Sequence, residues 1–95
     1  MDQLITELKG YFPKATIHKL DESMIEVQMP KAIESVVIQQ QEEEERYTVS
    51  YPRLEVDEVR KIKKVITHTN VNILKSGIFW ILKGIQKNGK VTPEF

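Results

Sequence analysis

The stretch RYTVSYP, residues 46–52, has the clearest alternation in the chain and decides the expected fold class. Its apolar residues, Tyr47, Val49 and Tyr51, are separated by single polar residues. A period of two is typical of a strand with one buried face. We expect Pro52 to end this strand, because proline has no N–H to donate to a neighbouring strand.

Two segments on the amino-terminal side predict a helix and a hairpin. Apolar residues recur at steps of three and four within residues 1–11, which is typical of an amphipathic helix. Residues 15–20 and 24–30 are short β-like runs on either side of the polar turn DES, residues 21–23. This arrangement predicts an antiparallel hairpin.

Residues 30–46 are compatible with either a helix or a strand. Pro30 suits the first turn of a helix, and the many Gln and Glu residues that follow are good helix formers. Against this, residues 36–38 are consecutive β-branched residues, and a helix would have no apolar stripe beyond them. We favour a strand, which makes the polar block QQQEEEE, residues 39–45, the exposed end of a second hairpin.

The carboxy-terminal part predicts two helices. Asp57 is a candidate N-cap for a helix through VRKIKKVITH, residues 59–68, although the alternation in residues 63–73 also permits extended structure. From about Val71 to Lys87 the apolar spacing is helical, and Asn88-Gly89 is a typical C-terminal signal.

These elements together predict an α+β fold in one small domain over residues 1–95. We expect an antiparallel sheet of three to four strands, with the N-terminal helix and one or two C-terminal helices packed on one face. A chain of 95 residues is long enough for one hydrophobic core.

The formal net charge of zero conceals two halves of opposite sign. Residues 1–58 contain six Lys or Arg and thirteen Asp or Glu, whereas residues 59–95 contain eight and one. Such asymmetry is typical of proteins that bind nucleic acid or a charged macromolecular partner, including a second copy of the same chain.

Several classes of site have no support in the sequence. The chain has no cysteine, which excludes thiolate-bound metals and a cysteine nucleophile, and His18 and His68 have no second ligand at metal-binding spacing. The four glycines are scattered rather than grouped in a phosphate-binding loop. We therefore expect no cofactor, no metal and no enzymatic activity.

The sequence predicts a cytoplasmic protein without membrane contact. The amino terminus contains acidic residues and lacks the apolar core of a secretory signal. The longest apolar run, residues 78–82, is far shorter than the ~20 residues that cross a bilayer.

The sequence favours a small non-enzymatic interaction protein, such as a regulator or inhibitor, including one encoded by a phage or mobile element. It would bind another protein through charged and aromatic surfaces, because exposed carboxylates steer basic partners and exposed aromatic residues dominate many interfaces. The candidate contact residues are Glu42, Glu43, Glu44, Glu45, Phe79 and Trp80.

The alternative hypothesis is a nucleic-acid-binding protein that uses the basic C-terminal helices. Lysine and arginine side chains would contact phosphates, and affinity would fall steeply with salt. The candidate residues are Arg60, Lys61, Lys63, Lys64 and Lys75.

Overall fold

The computed structural model describes residues 1–32, 34–42, 45–56 and 64–88. Within these residues the fold is α+β, as predicted, with helices α1 (Asp2–Tyr11) and α2 (Lys75–Asn88) at either end of the strands. The strands are β1 (Thr16–Asp21), β2 (Met24–Gln28), β3 (Val36–Gln40), β4 (Arg46–Val56) and β5 (Lys64–Leu74). They form one antiparallel sheet in the order β1-β2-β3-β4-β5. The described residues thus contain five strands, more than the predicted three to four.

The β1–β2 hairpin lies where the sequence predicts it. In its turn, the backbone N–H of Ser23 donates to Oδ1 of Asp21 at 2.7 Å. An aspartate that accepts from the backbone two residues later mimics a backbone turn, which explains why DES reverses the chain.

The core lies between one face of the sheet and both helices. Ile25, Val27, Val36, Ile38 and Val49 are fully buried on that face. They belong to a single hydrophobic cluster with residues of the helices, namely Leu4, Leu8, Phe12, Ile78, Ile81, Leu82 and Ile85. Because the helix residues share this cluster, the structure confirms the prediction that both helices pack on one face.

Residues 36–40 form a strand, which confirms the favoured structure for this segment. Val36 and Ile38 are fully buried, and Val37 between them is half-buried on the opposite face. Beyond β3, the backbone N–H of Gln41 donates to the carbonyl oxygen of Arg46 at 3.0 Å. The polar block therefore contains the turn of the β3–β4 hairpin, as predicted.

The prediction that Pro52 ends β4 is wrong, because β4 continues to Val56. The pairing of β3 with β4 stops at Val37 opposite Ser50, whereas β5 pairs with β4 along its whole length. Beyond Ser50, β4 thus has a strand on one side only among the described residues. A proline is tolerated at such an edge, because a nitrogen on the open side has no hydrogen bond to lose.

The predicted helix over residues 59–68 is wrong from Lys64 onwards, where β5 begins. Residues 57–63, including the proposed N-cap Asp57, lie outside the described residues. The dense β-branched residues of Lys64–Leu74 favour extended structure, and eleven consecutive residues pair with β4. The second predicted helix is present as α2, but it begins at Lys75 rather than near Val71. Gly89 and the tail lie outside the described residues.

None of the helices in the described residues is long and apolar enough to cross a membrane.

Candidate interaction surfaces

The two helices contact each other through side chains and run in the same direction. Lys75 at the start of α2 contacts Glu7, with Nζ 3.3 Å from Oε1 and 3.1 Å from Oε2. One turn later in each helix, the rings of Phe79 and Tyr11 are 5.1 Å apart. Contacts that advance by four residues in both helices require a parallel arrangement.

The contact between Lys75 and Glu7 raises the pKa of the lysine. The main cause is the hydrogen bond to Glu7, followed by the attraction of its charge, with a smaller contribution from Glu45. Lys75, one of the residues suggested for nucleic-acid contact, thus already forms an ion pair with Glu7 of the same chain. Its side chain remains 43% exposed.

Phe79, one of the predicted contact residues, lies in an aromatic cluster between the helices. Its ring is 5.1 Å from that of Tyr11, edge to face, and 6.3 Å from that of Phe12. Phe79 is half-buried against the core and Phe12 is buried, whereas Tyr11 is 72% exposed. The part of this cluster that reaches solvent is therefore mainly Tyr11.

Trp80, the other predicted aromatic contact, is 68% exposed. It belongs to a row of exposed residues at steps of four, three and four on the side of α2 away from the sheet. We call this row the α2 stripe; it consists of Ser76, Trp80, Lys83 and Lys87. The buried residues of the same helix, by contrast, lie toward the sheet. The stripe thus presents one large apolar side chain beside two cations.

Two of the predicted acidic contact residues, Glu42 and Glu45, are described between β3 and β4. Glu42 and Glu45 are exposed, and Glu43 and Glu44 lie outside the described residues. The turn is next to the start of α2, since Glu45 and Lys75 line the same small depression. Glu45 thus lies beside Lys75, whereas Glu42 lines a different depression together with Arg46.

The face of the sheet opposite the core is largely polar, with Met24 and Val37 as apolar exceptions. Gln39, Thr48 and Asn72 lie opposite one another on β3, β4 and β5, and Ser50 and Asn70 form the next row. Gln39 and Asn72 line a wide depression together with Arg46 and Ser23. Glu42 lines the same depression, so its polar groups are amides, a hydroxyl, one guanidinium and one carboxylate.

The two histidines lie apart on the sheet. His18 is exposed on β1, and His68 on β5 contacts the carboxylate of Glu34 from the β2–β3 connection. Among the described residues, no three metal-ligating side chains lie close enough to hold an ion.

The remaining residues of the nucleic-acid hypothesis lie largely outside the described structure. Arg60, Lys61 and Lys63 fall within the residues that are not described, and Lys64 is the first residue of β5. The two-helix basic surface on which that hypothesis depended is therefore not formed by Lys64 and its successors, because they belong to a strand.

Trp80 was predicted as a contact residue from the sequence, but Lys83 and Lys87 were not predicted to share its surface, and the exposure of Tyr11 was not predicted. The sequence does contain a pattern that indicates the stripe, because positions 76, 80, 83 and 87 follow the helical period and would share one side of a helix. Exposure of Tyr11 had no such signal, because Tyr11 continues the apolar spacing of the buried residues of α1.

Comparison of the chain with protein-family models, with curated proteins and with solved structures found no match.

Proposed function

We propose that this chain is a small interaction protein that binds an acidic surface of another protein through the α2 stripe. The observation that carries the proposal is the 68% exposure of Trp80 on a helix whose large aliphatic residues are buried. Trp is enriched among the residues that dominate binding energy, because it buries a large area at low conformational cost. A regulator or inhibitor acts through such a surface without a catalytic site.

The charge around Trp80 supports an acidic partner. Lys83 and Lys87 are exposed on the same stripe, and neither β5 nor α2 contains an Asp or Glu. A partner protein with carboxylates around an apolar pocket would therefore place those carboxylates beside the two lysines while the pocket receives Trp80. Such pairs mainly increase the association rate and the specificity of binding.

The acidic β3–β4 turn supports a second contact with the partner, in which the negative charge is on this chain and the positive charge is on the partner. Glu42 and Glu45 are both exposed, and Glu45 lies near the start of α2. A partner with a basic rim on that side would be oriented by both charges at once. This dipolar arrangement favours a protein partner over nucleic acid, because a phosphate backbone presents negative charge throughout.

The substitution Trp80→Ala tests this proposal. The partner is first purified on the wild-type chain from nuclease-treated extract, and its affinity for each variant is then measured by isothermal titration calorimetry. We expect Trp80→Ala to weaken binding about 30-fold or more, the effect typical of a central interface tryptophan. Leu20→Ala is the matched control, because Leu20 is also a large exposed apolar residue, at 51%, but lies on β1.

A charge variant tests the two lysines of the α2 stripe, and the salt dependence of binding distinguishes the two macromolecular classes. The double variant Lys83→Glu, Lys87→Glu should weaken binding of the acidic protein partner. It should leave the fold intact, because both side chains are exposed. Equal affinity of the wild-type, Trp80→Ala and charge variants would contradict the proposal. Retention of single-stranded nucleic acid instead, with log affinity falling linearly with log salt, would favour the alternative hypothesis.

A further inference from the structure

β1 and β5 are the two edges of the described sheet, and β1 has the features that prevent edge-to-edge pairing. It has only six residues, and its register with β2 shifts between Lys19 and Asp21. Lys19 also bridges to Asp2 of α1, with Nζ 3.3 Å from Oδ1. Short length, a register irregularity and charged side chains all disfavour the addition of another strand.

β5 has none of these protections. It is eleven residues long, and its register with β4 runs without a shift from Leu74 opposite Arg46 to Lys64 opposite Val56. Between Lys64 and Lys75 the sequence contains no Lys, Arg, Asp, Glu or Pro. Along its outer side, β5 has no strand partner in the described part of the chain. A long regular edge of this kind is a template for a further strand.

We propose that β5 of a second copy occupies this edge, so that two chains form a continuous ten-stranded antiparallel sheet across a two-fold axis. Self-pairing of one strand in the antiparallel sense is symmetric, and symmetric interfaces that use the same patch twice are the commonest in soluble oligomers. The backbone groups of both edges would then be hydrogen-bonded.

The composition of β5 favours a second copy over a charged peptide. With the axis near Asn70, residues 66–74 of one copy lie opposite the same residues of the other, so no two charged residues oppose each other. On the core side, half-buried Thr69 would lie opposite half-buried Val71. On the polar face, the exposed amides of the two Asn70 residues would meet. Apolar and amide pairs stabilise adjacent strands. A charged peptide would find only the carboxylate of Glu34 along this run, and that carboxylate already contacts His68.

This interface is separate from the proposed function. Trp80 lies on the side of α2 away from the sheet, and no step of the pairing uses it. Trp80→Ala should therefore leave self-association unchanged, so the two proposals fail independently.

Sedimentation velocity over a concentration series tests the dimer. We expect the wild type to shift from monomer to dimer, and Asn70→Lys to raise the dimer Kd about tenfold or more because like charges meet near the axis. His18→Lys is the matched control, because His18 is exposed on the other edge strand. Asn70→Asp should have the same effect as Asn70→Lys, and circular dichroism checks that each variant is folded.

Amide hydrogen exchange locates the interface. Since N–H groups of a strand alternate between its two neighbours, every second amide of β5 should lose protection on dilution below the dimer Kd. A wild type that stays monomeric up to about 1 mM, or an unchanged Kd in Asn70→Lys, overturns the proposal. So does loss of the dimer in Trp80→Ala, or protection of these amides at every concentration, which would mean that another segment of the same chain covers the edge.

Discussion

Two glycines in α2 occupy different surroundings. A Cβ built on Gly77 would lie 2.9 Å from Cδ1 and 3.2 Å from Cβ of Ile73, whereas one built on Gly84 meets nothing within 4 Å. Glycine at position 77 thus permits α2 to approach β5 closely. At position 84 it has no packing role in the described structure.

Alanine substitutions at these two positions should have opposite effects on stability. Gly84→Ala should raise the free energy of unfolding by about 0.5–1 kcal/mol, because alanine is the better helix former. Gly77→Ala gains the same helix propensity, but the new methyl group must displace the side chain of Ile73. We therefore expect the free energy of unfolding to fall by about 1 kcal/mol or more. Urea unfolding of both variants measures the difference. Equal stabilisation by both substitutions would show that α2 is not held against Ile73.

At the scale of elements, the contact between Glu7 and Lys75 joins α1 to α2. Because this contact raises the pKa of Lys75, the charged lysine is favoured in the folded state. Its contribution to stability is present below the pKa of 10.5 expected for the unfolded chain and is lost as the pH rises through the higher folded value.

Glu7→Gln should reduce the loss of stability at alkaline pH. The measurement is urea unfolding of wild type and variant between about pH 9 and pH 11.5, and the difference between them removes the common effect of tyrosine ionisation. Glu22→Gln is the matched control, because Glu22 is fully exposed and its carboxylate is 3.9 Å from Lys19. Parallel pH profiles for wild type and Glu7→Gln would show that the contact does not persist in solution.

At the scale of the whole molecule, α2 supplies a large share of one small core. Ile78, Ile81, Leu82 and Ile85 are all buried in the cluster that contains the sheet and α1. Burial of four such side chains contributes about 6–12 kcal/mol, which is comparable with the total stability of about 5–10 kcal/mol expected for a chain of this size.

A chain that ends after Leu74 should therefore not fold cooperatively. We expect thermal denaturation without a transition and poorly dispersed amide resonances, because one face of β4 and β5 would lose its cover. The full-length variant Lys83→Ala with Lys87→Ala should keep a cooperative transition, since both lysines are exposed. Cooperative unfolding of the truncated chain would mean that the sheet and α1 form a sufficient core.

The success of the sequence predictions depended on whether local pattern and long-range pairing agreed. For β2 and residues 47–51 the apolar period matches the buried face, and for α1 it does so except at exposed Tyr11, so the type of each of these elements was predicted correctly. For residues 64–68, a helical stripe and a strand-like alternation were both present. The helix was chosen, and pairing with β4 shows that choice to be wrong. The α2 stripe was only partly recognised, because exposure depends on which side of the helix meets the sheet.

Composition and local period were sufficient to predict the α+β class, the type of most elements and the split of charge between the halves, and the lack of cysteine excludes thiol chemistry. The tertiary structure decided that Lys64–Leu74 is a strand, that β4 passes through Pro52, and that Trp80 faces solvent while Phe79 packs between the helices. These outcomes depend on contacts between residues distant in sequence. Strand pairing and helix packing act over such distances, and no local pattern contains them.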